Sequence, residues 1–498
     1  MEKYTKIIAT IGPATCNPKV LRDLYDAGMN AARINMSHGD RSLQIDYIQN
    51  IRRLDDNFPI ILDTRGPEIR TGEMRYNQAD VPVGSVLRLI HATSQKEPDT
   101  IPVDYSYLHE IETGTRILFD DGLVESEVVD KNGNEVLVRI INDGAIGTRK
   151  KVTIQGYRVK LPFLSERDKE DIKFGIERNI HLLAASFVRC ADDIQSLRSF
   201  LTDQGATMML FSKIETSEAV SNLEEILELS DGIMVARGDL GVELPLQEVP
   251  GIQNRIIKQC NQAGKPVIVA TQMLESMREN PRPTRAEVSD IAHAILQGAD
   301  AIMLSAETAT GKYPTRSVEM MRLIAQQYEK QVNGIIKKYR RKDETGQTGI
   351  AQYIAKAAYY ASGELGAKAI LTPTESGFTA RNVSRFKPKC PILASTKNPM
   401  VVQFLHLVWG VFPMLDTDAM LDLNHYEMSY KLIAHYYEKG ILSKKDRIII
   451  TSGSNLMTKR GTNLLEIYSV TDIIDDASDV LNRTCIDSGQ KPSGVNDS

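Results

Sequence analysis

Met208-Met209-Leu210-Phe211-Ser212-Lys213-Ile214-Glu215, followed after one helical stretch by Gly232-Ile233-Met234-Val235-Ala236-Arg237-Gly238, reads as two successive βα units. Each is a short apolar run ending in charged or glycine residues, and the segment between them carries apolar residues at helical spacing. Working outward, six more runs have the same form: Lys6 to Gly12, Ala31 to Ser37, Pro59 to Thr64, Leu182 to Arg189, Pro266 to Gln272 and Ala301 to Glu307. Most follow one another at roughly 25 to 35 residues, the length that a crossover between parallel strands requires. Eight such units predict an α/β fold, a closed (β/α)8 TIM barrel.

One interval breaks the rhythm. Between Thr64 and Leu182 the pattern turns to β alternation, as in Val86-Leu87-Arg88-Leu89-Ile90 and Val124-Glu125-Ser126-Glu127-Val128-Val129, so an all-β domain is expected as an insertion after the third strand. Glycines near Thr71-Gly72 and Gly156-Tyr157 are candidate hinges, which would make the insert a lid. Beyond the polar run Lys337 to Gly349, a helix pattern (Ile350 to Leu365) alternates with the strands Ala369 to Thr372, Pro391 to Ala394 and Arg447 to Ile450, predicting a small α/β domain. The expected boundaries are 1–71 with 158–342 for the barrel, 72–157 for the insert, 343–476 for the C-terminal domain and 477–498 for a polar tail.

Composition excludes several function classes. With 42% apolar and 25% charged residues the chain is globular, and a net charge of −5 lacks the basic excess of a general nucleic-acid binder. The five cysteines are scattered without a CxxC pair, which suggests neither a disulfide framework nor a zinc site and fits a reducing cytoplasm. No leader or long apolar span is apparent, so no membrane partner is expected.

In a TIM barrel the C-terminal strand ends form the active-site face. Here they read Arg33-Ile34-Asn35-Met36-Ser37-His38, Asp63-Thr64-Arg65, Lys213-Ile214-Glu215, Arg237-Gly238-Asp239, Thr271-Gln272 and Ser305-Ala306-Glu307. Alternate residues share a face, so Arg33, Asn35 and Ser37 can converge, as can Lys213 and Glu215. Glu215 and Asp239, on adjacent strands, suit a hard divalent cation that keeps positions open for substrate oxygens. Lys213 and Arg33 supply positive charge to a phosphoryl group in transfer. Singly, Glu215 and Lys213 could be a structural ion pair and Asp239 a helix N-cap; their joint placement favours a site. The Gly238-Asp239-Leu240-Gly241 run offers backbone N–H groups to a carboxylate, or is a plain tight turn. Asn35, Ser37, Asp63 and Thr64 offer neutral oxygens and one carboxylate, a set that suits potassium; turn formation is the alternative. In the third domain Thr374, Ser376, Gly377 and Thr379 open a helix-like stretch and could hold a phosphate or simply cap it.

These runs resemble pyruvate kinases over nearly the whole chain. The resemblance is carried by Ile8-Ala9-Thr10-Ile11-Gly12-Pro13, Ala32 to Gly39, Leu62-Asp63-Thr64-Arg65-Gly66-Pro67-Glu68-Ile69-Arg70-Thr71-Gly72, Ser212 to Glu215, Asp231 to Val242, Ala270 to Met277 and Pro281 to Glu287. It implies transfer of the phosphoryl group of phosphoenolpyruvate to ADP, giving ATP and pyruvate. It also implies roles: Glu215 and Asp239 for magnesium (or manganese), Lys213 and Arg33 for the phosphoryl group, and Gly238, Asp239 and Thr271 for the substrate carboxylate. Thr271 and Ser305 lie by the proton-delivery route; Asn35, Ser37, Asp63 and Thr64 form the potassium site, with Glu68 marking potassium dependence. Arg70, His38 and Lys150, beside Asn35, match nucleotide contacts. Thr374, Ser376, Gly377 and Thr379, with a second loop from Ser452 to Asn463, match an effector site for a phosphorylated metabolite. A homotetramer is the family's usual assembly.

The chain departs from the family pattern most clearly where the insert returns to the barrel: the usual Lys-Gly-Val-Asn-Leu-Pro-Gly reads Lys150-Lys151-Val152-Thr153-Ile154-Gln155-Gly156. Arg65 stands where lysine is commoner, and Ala306 where many members have glycine. Rival readings are a metal-dependent barrel acting on an enolate without ADP, such as a mutase or aldol-type lyase, and a catalytically silent paralogue kept as a sensor. The intact Arg33, Lys213, Glu215, Asp239 and Thr271 oppose the second.

Overall fold

The computed structural model describes residues 3–332, 349–418, 423–453 and 461–475. One compact unit is Lys6–Ala325, and the other joins Met1–Thr5 to the chain from Gln326 onward. The boundary expected at 342/343, the tail from 477 and positions 454–460 of the second effector loop lie outside the described residues.

All eight strands expected in the first unit form a closed parallel barrel: Lys6–Thr10, Ala31–Asn35, Ile60–Asp63, Leu182–Ala185, Met209–Ile214, Gly232–Ala236, Val267–Ala270 and Ala301–Leu304. Closure is visible in the first strand, which pairs with the second (Ile8↔Ala31) and with the last (Lys6↔Ala301). Parallel strands covered on both faces must be apolar nearly throughout, and these are buried over almost their whole length. Gly232 is small for a local reason: a Cβ there would stand 2.4 Å from the Phe211 ring and 2.9 Å from the Pro266 carbonyl oxygen. Local chemistry sets the helix ends. Ser165 and Thr284 make capping boxes with Asp168 and Glu287, while Gly28, Gly264 and Gly298 end their helices in the left-handed conformation.

The insert is a seven-stranded sheet ordered Ile69–Arg70, Lys151–Ile154, Arg116–Phe119, Val124–Asn132, Glu135–Ile140, Val86–His91, Thr100–Val103, with a small ladder of Gly144–Gly147 on Gln78–Val81. Its core is its own, built around Leu89, Ile101, Ile117, Phe119, Val136 and Val138. The hinge expected at Thr71-Gly72 is not a loose joint. Thr71 N–H donates to the Lys150 carbonyl and Gly72 N–H to the Pro102 carbonyl, both at 2.8 Å, so both residues are stitched into the insert's sheet. The left-handed glycine on that side is Gly66 (φ 75°), and on the return side Gly156 (φ 69°).

The second unit carries a five-stranded sheet in the order Val411–Leu415, Ile392–Thr396, Ala369–Pro373, Arg447–Ser452, Leu464–Ser469, the last pair antiparallel. The three central strands match the sequence expectation. The two outer ones escaped it because an edge strand is half exposed and loses the unbroken apolar run. Among the described residues no helix is long and apolar enough to cross a membrane.

Candidate active site

Strand register brings the polar ends level: Asn35 lies opposite Asp63, Asp63 opposite Ala184, and Ala185 opposite Ser212. Asp63, fully buried, is clasped by two cations. Arg33 Nε meets its Oδ2 at 2.5 Å and Lys213 Nζ its Oδ1 at 3.0 Å. Burial alone would raise the Asp63 pKa, but the adjoining Arg33 and Lys213 hold it below the usual carboxylate range. Arg33 is further fixed by Thr10 Oγ1 at 3.0 Å. Lys213 also donates to Ser186 Oγ at 2.6 Å and lies 3.0 Å from Glu215 Oε1. Burial opposes its charge, yet Asp63 and Glu215 outweigh it and keep the ammonium protonated.

Glu215 accepts the Phe187 N–H at 2.6 Å, and Phe187 holds φ at 54°. Burial raises the Glu215 pKa against the pull of Lys213, with Asp239 adding to the rise; at the partly exposed Asp239 desolvation pushes upward too, but Lys151 and Lys213 hold it low. Two neighbouring carboxylates with unlike proton affinity share the mouth. Asp239 lies in the first turn of the helix Arg237–Glu243, so the Gly238-to-Gly241 run is helical rather than a tight turn.

Thr271 and Gln272 both hold left-handed backbones, φ 66° and 53°, unfavourable for residues with a Cβ. Arg237 pins that segment by donating to the carbonyls of Thr271 (2.6 Å) and Gln272 (3.1 Å) while it pairs with Asp290. Thr271 Oγ1 in turn accepts the Gly238 N–H at 2.8 Å. Ser305 Oγ is buried with no hydrogen-bond partner among the described residues. A cleft of about 890 Å³ opens here, lined by Gly238, Asp239, Thr271 and Gln272 from the barrel and Arg116, Asp121 and Gln155 from the insert.

The other expected residues fall into separate groups. Asn35 Oδ1 accepts the Ser37 N–H at 3.0 Å, and the Thr64 carbonyl accepts Ser186 Oγ at 2.6 Å. Glu68 is bound by Arg70 (2.6 Å) and Arg65 (3.4 Å). His38, at the rim, has its pKa lowered by partial burial and then by Arg33 and Arg70. Lys150 turns to Asp120, at 2.8 Å. Its neighbour Lys151 reaches the mouth and pairs with Asp239. In the C-terminal unit Thr379 Oγ1 is bonded to Thr462 Oγ1 at 2.7 Å, Thr374 is buried, Ser376 is exposed and Gly377 holds φ at 75°.

The sequence matches the family model of the pyruvate kinase barrel domain over residues 2–318 and that of the pyruvate kinase alpha/beta domain over 352–468. The chain belongs to the pyruvate kinase family. Among its relatives are the pyruvate kinases of Sporosarcina psychrophila, 42% identical over 482 residues, and Bacillus licheniformis, 43% over 481; each alignment covers 95% of this chain and 81% of the relative. A solved pyruvate kinase from Cryptosporidium parvum superposes with a TM-score of 0.87 at 33% identity, covering 94% of this chain and 96% of that one. The chain is accordingly a phosphotransferase with the pyruvate kinase fold.

Within this pyruvate kinase fold, sequence reasoning gave no role to Ser186, Arg237 or Lys151. Ser186 and Arg237 stand at strand ends and were within reach of the strand-end rule. Lys151 lies on the insert, where that rule does not look.

Proposed function

We propose that this chain transfers the phosphoryl group of phosphoenolpyruvate to ADP, with magnesium or manganese held by Glu215 and Asp239 and potassium held near Asn35, Ser37, Asp63 and Thr64. The observation that carries this reading is the buried Arg33–Asp63–Lys213 cluster beside the Glu215 and Asp239 carboxylates. The donor set fits the divalent ion. Two carboxylates, Glu215 buried and Asp239 partly exposed, suit magnesium, which keeps positions for water and substrate oxygens. When bound, the ion would polarise phosphoryl and enolate oxygens.

The chain's own residues supply the rest. Asp63 fixes both Arg33 and Lys213, so their charges need not reorganise when the bond from phosphorus to the enol oxygen breaks and the bond to the ADP oxygen forms. Gly238, Asp239 and Thr271 would orient the substrate carboxylate, with Arg237 holding the Thr271 backbone in place. The departing enolate takes a proton at carbon, and the Thr271 hydroxyl with Ser305 Oγ, which has no hydrogen-bond partner among the described residues, would line its path. Arg70 and His38 stand at the rim for the nucleotide. Lys150, paired with Asp120, keeps only the support of its motif.

Activation by a phosphorylated metabolite at Thr374, Ser376, Gly377 and Thr379 is part of the same reading. Its support is three buried hydroxyls without partners among the described residues, Thr372 Oγ1, Thr451 Oγ1 and Ser452 Oγ, at the C-terminal ends of two paired strands. Cytoplasmic location and a homotetramer follow from the family alone. A coupled pyruvate-formation assay with magnesium, with and without potassium and titrated with sugar phosphates, tests the whole. Pyruvate should form only with ADP, and none under any condition would overturn the proposal.

A further inference from the structure

The insert reaches the barrel mouth through one buried cation. Lys151 pairs through Nζ with Asp239 Oδ1, has 13% of its side chain exposed, and lies 5.0 Å from the centre of the Phe187 ring. Glu68 and Glu215 also act on its charge, and Lys151 acts in turn on Asp121 and Glu243. Gln155, further along the same return segment, donates to the Val242 carbonyl at 2.6 Å, a second tie to the helix that carries Asp239. Lys150, one residue before the strand begins, pairs instead with Asp120. The contact therefore belongs to Lys151 and to the register of its strand, in which it lies opposite Arg70.

A single and a double positive charge brought side by side on one carboxylate in a partly dry site repel strongly. We propose that Lys151 is an internal competitor for the divalent-metal site: its ammonium, carried by the insert, holds Asp239 until the metal displaces it, so that metal loading and release of the insert from the mouth are one coupled step. This rests on the reading of Asp239 as a metal ligand. The coupling is reciprocal, so whatever draws the insert away from the mouth also raises metal affinity. Left-handed glycines on both sides of the insert, Gly66 and Gly156, mark where the backbone could absorb such a movement.

The test is Mn2+ binding to the full chain without substrates, read by electron paramagnetic resonance of the free ion. Lys151→Met should bind Mn2+ about tenfold or more tightly than the wild type, the scale of one charge-assisted contact, whereas Lys151→Arg should stay near the wild type. Unchanged or weaker binding by a folded Lys151→Met protein overturns the proposal. A second measurement needs no variant: acetylation of Lys151 in the wild type, followed by mass spectrometry, should speed up on Mn2+ saturation, and an unchanged or slower rate overturns it. Asp239→Asn separates the two layers. If that variant keeps wild-type Mn2+ affinity, the metal reading itself fails; if it loses Mn2+ while Lys151→Met is unchanged, only the role of Lys151 fails.

Discussion

Lys213 and Lys151 both place an ammonium against the carboxylates at the barrel mouth, but they stand on different ground. Lys213 projects from a barrel strand and is held by Asp63, Ser186 and Glu215 at once. Lys151 begins a strand of the insert, and among the described residues its one ion pair is with Asp239. The first charge is fixed by a rigid scaffold, while the second is delivered by a domain with its own core. A charge built into the scaffold serves a transition state, since it needs no reorganisation. One on a separate domain can report and regulate.

That contrast can be broken most forcefully at Asp63. Asp63→Ala would leave Arg33 and Lys213 buried without their shared counter-charge and should cost about 3–5 kcal/mol of stability, measured by denaturant unfolding. A loss below about 1 kcal/mol would show that the barrel cations are not held as tightly as their geometry suggests. Next comes Lys213→Met, which should lower turnover by about 10²–10³-fold with circular dichroism unchanged. Near-normal turnover would put Lys213 on the same footing as Lys151.

Glu243 sharpens the comparison, because it lines a cavity together with Lys151. Its carboxyl is pushed up to about 7, first by burial, with Lys151 opposing and Asp239 and Glu215 adding. The raised acid binds its proton more tightly in the folded chain, so its contribution to stability falls as pH rises from about 4.5 to 7. Glu243→Gln should remove roughly 1–2 kcal/mol of that fall, seen as a flatter dependence of the unfolding midpoint on pH. The smallest effect is expected at Arg149, whose pair with Glu73 is 74% and 64% exposed. Arg149→Ala should change stability by less than about 0.5 kcal/mol in thermal unfolding, marking the difference between an insert charge at the mouth and one in solvent.

Much of this was legible in sequence because the barrel is written in a short repeating unit. Each strand must be apolar on both faces and must end where the chain becomes polar, so Arg33, Asp63, Lys213, Glu215 and Asp239 stood out as strand-end residues before any fold existed. Ser186 and Arg237 obeyed the same rule but gave no chemical signal, since a serine or an arginine at a strand end has many uses. Arg237 acquires its role from two carbonyls that face it only because Thr271 and Gln272 adopt left-handed backbones. That Thr71 and Gly72 are bonded across the insert's sheet was not legible, because a glycine in sequence does not reveal whether its N–H already has a partner.

The sequence by itself determined the eight-unit barrel, the interruption after the third strand and the residues at each strand end, because burial and helical or strand periodicity act over a few residues and leave their mark locally. Only the tertiary structure decided that Asp63 balances two cations, that Glu215 and Asp239 differ in proton affinity, and that Lys151 rather than Lys150 meets Asp239. Those facts depend on strand register and on how one domain's edge meets another's mouth, and a shift of one residue in register exchanges the two lysines without altering any pattern a sequence can display.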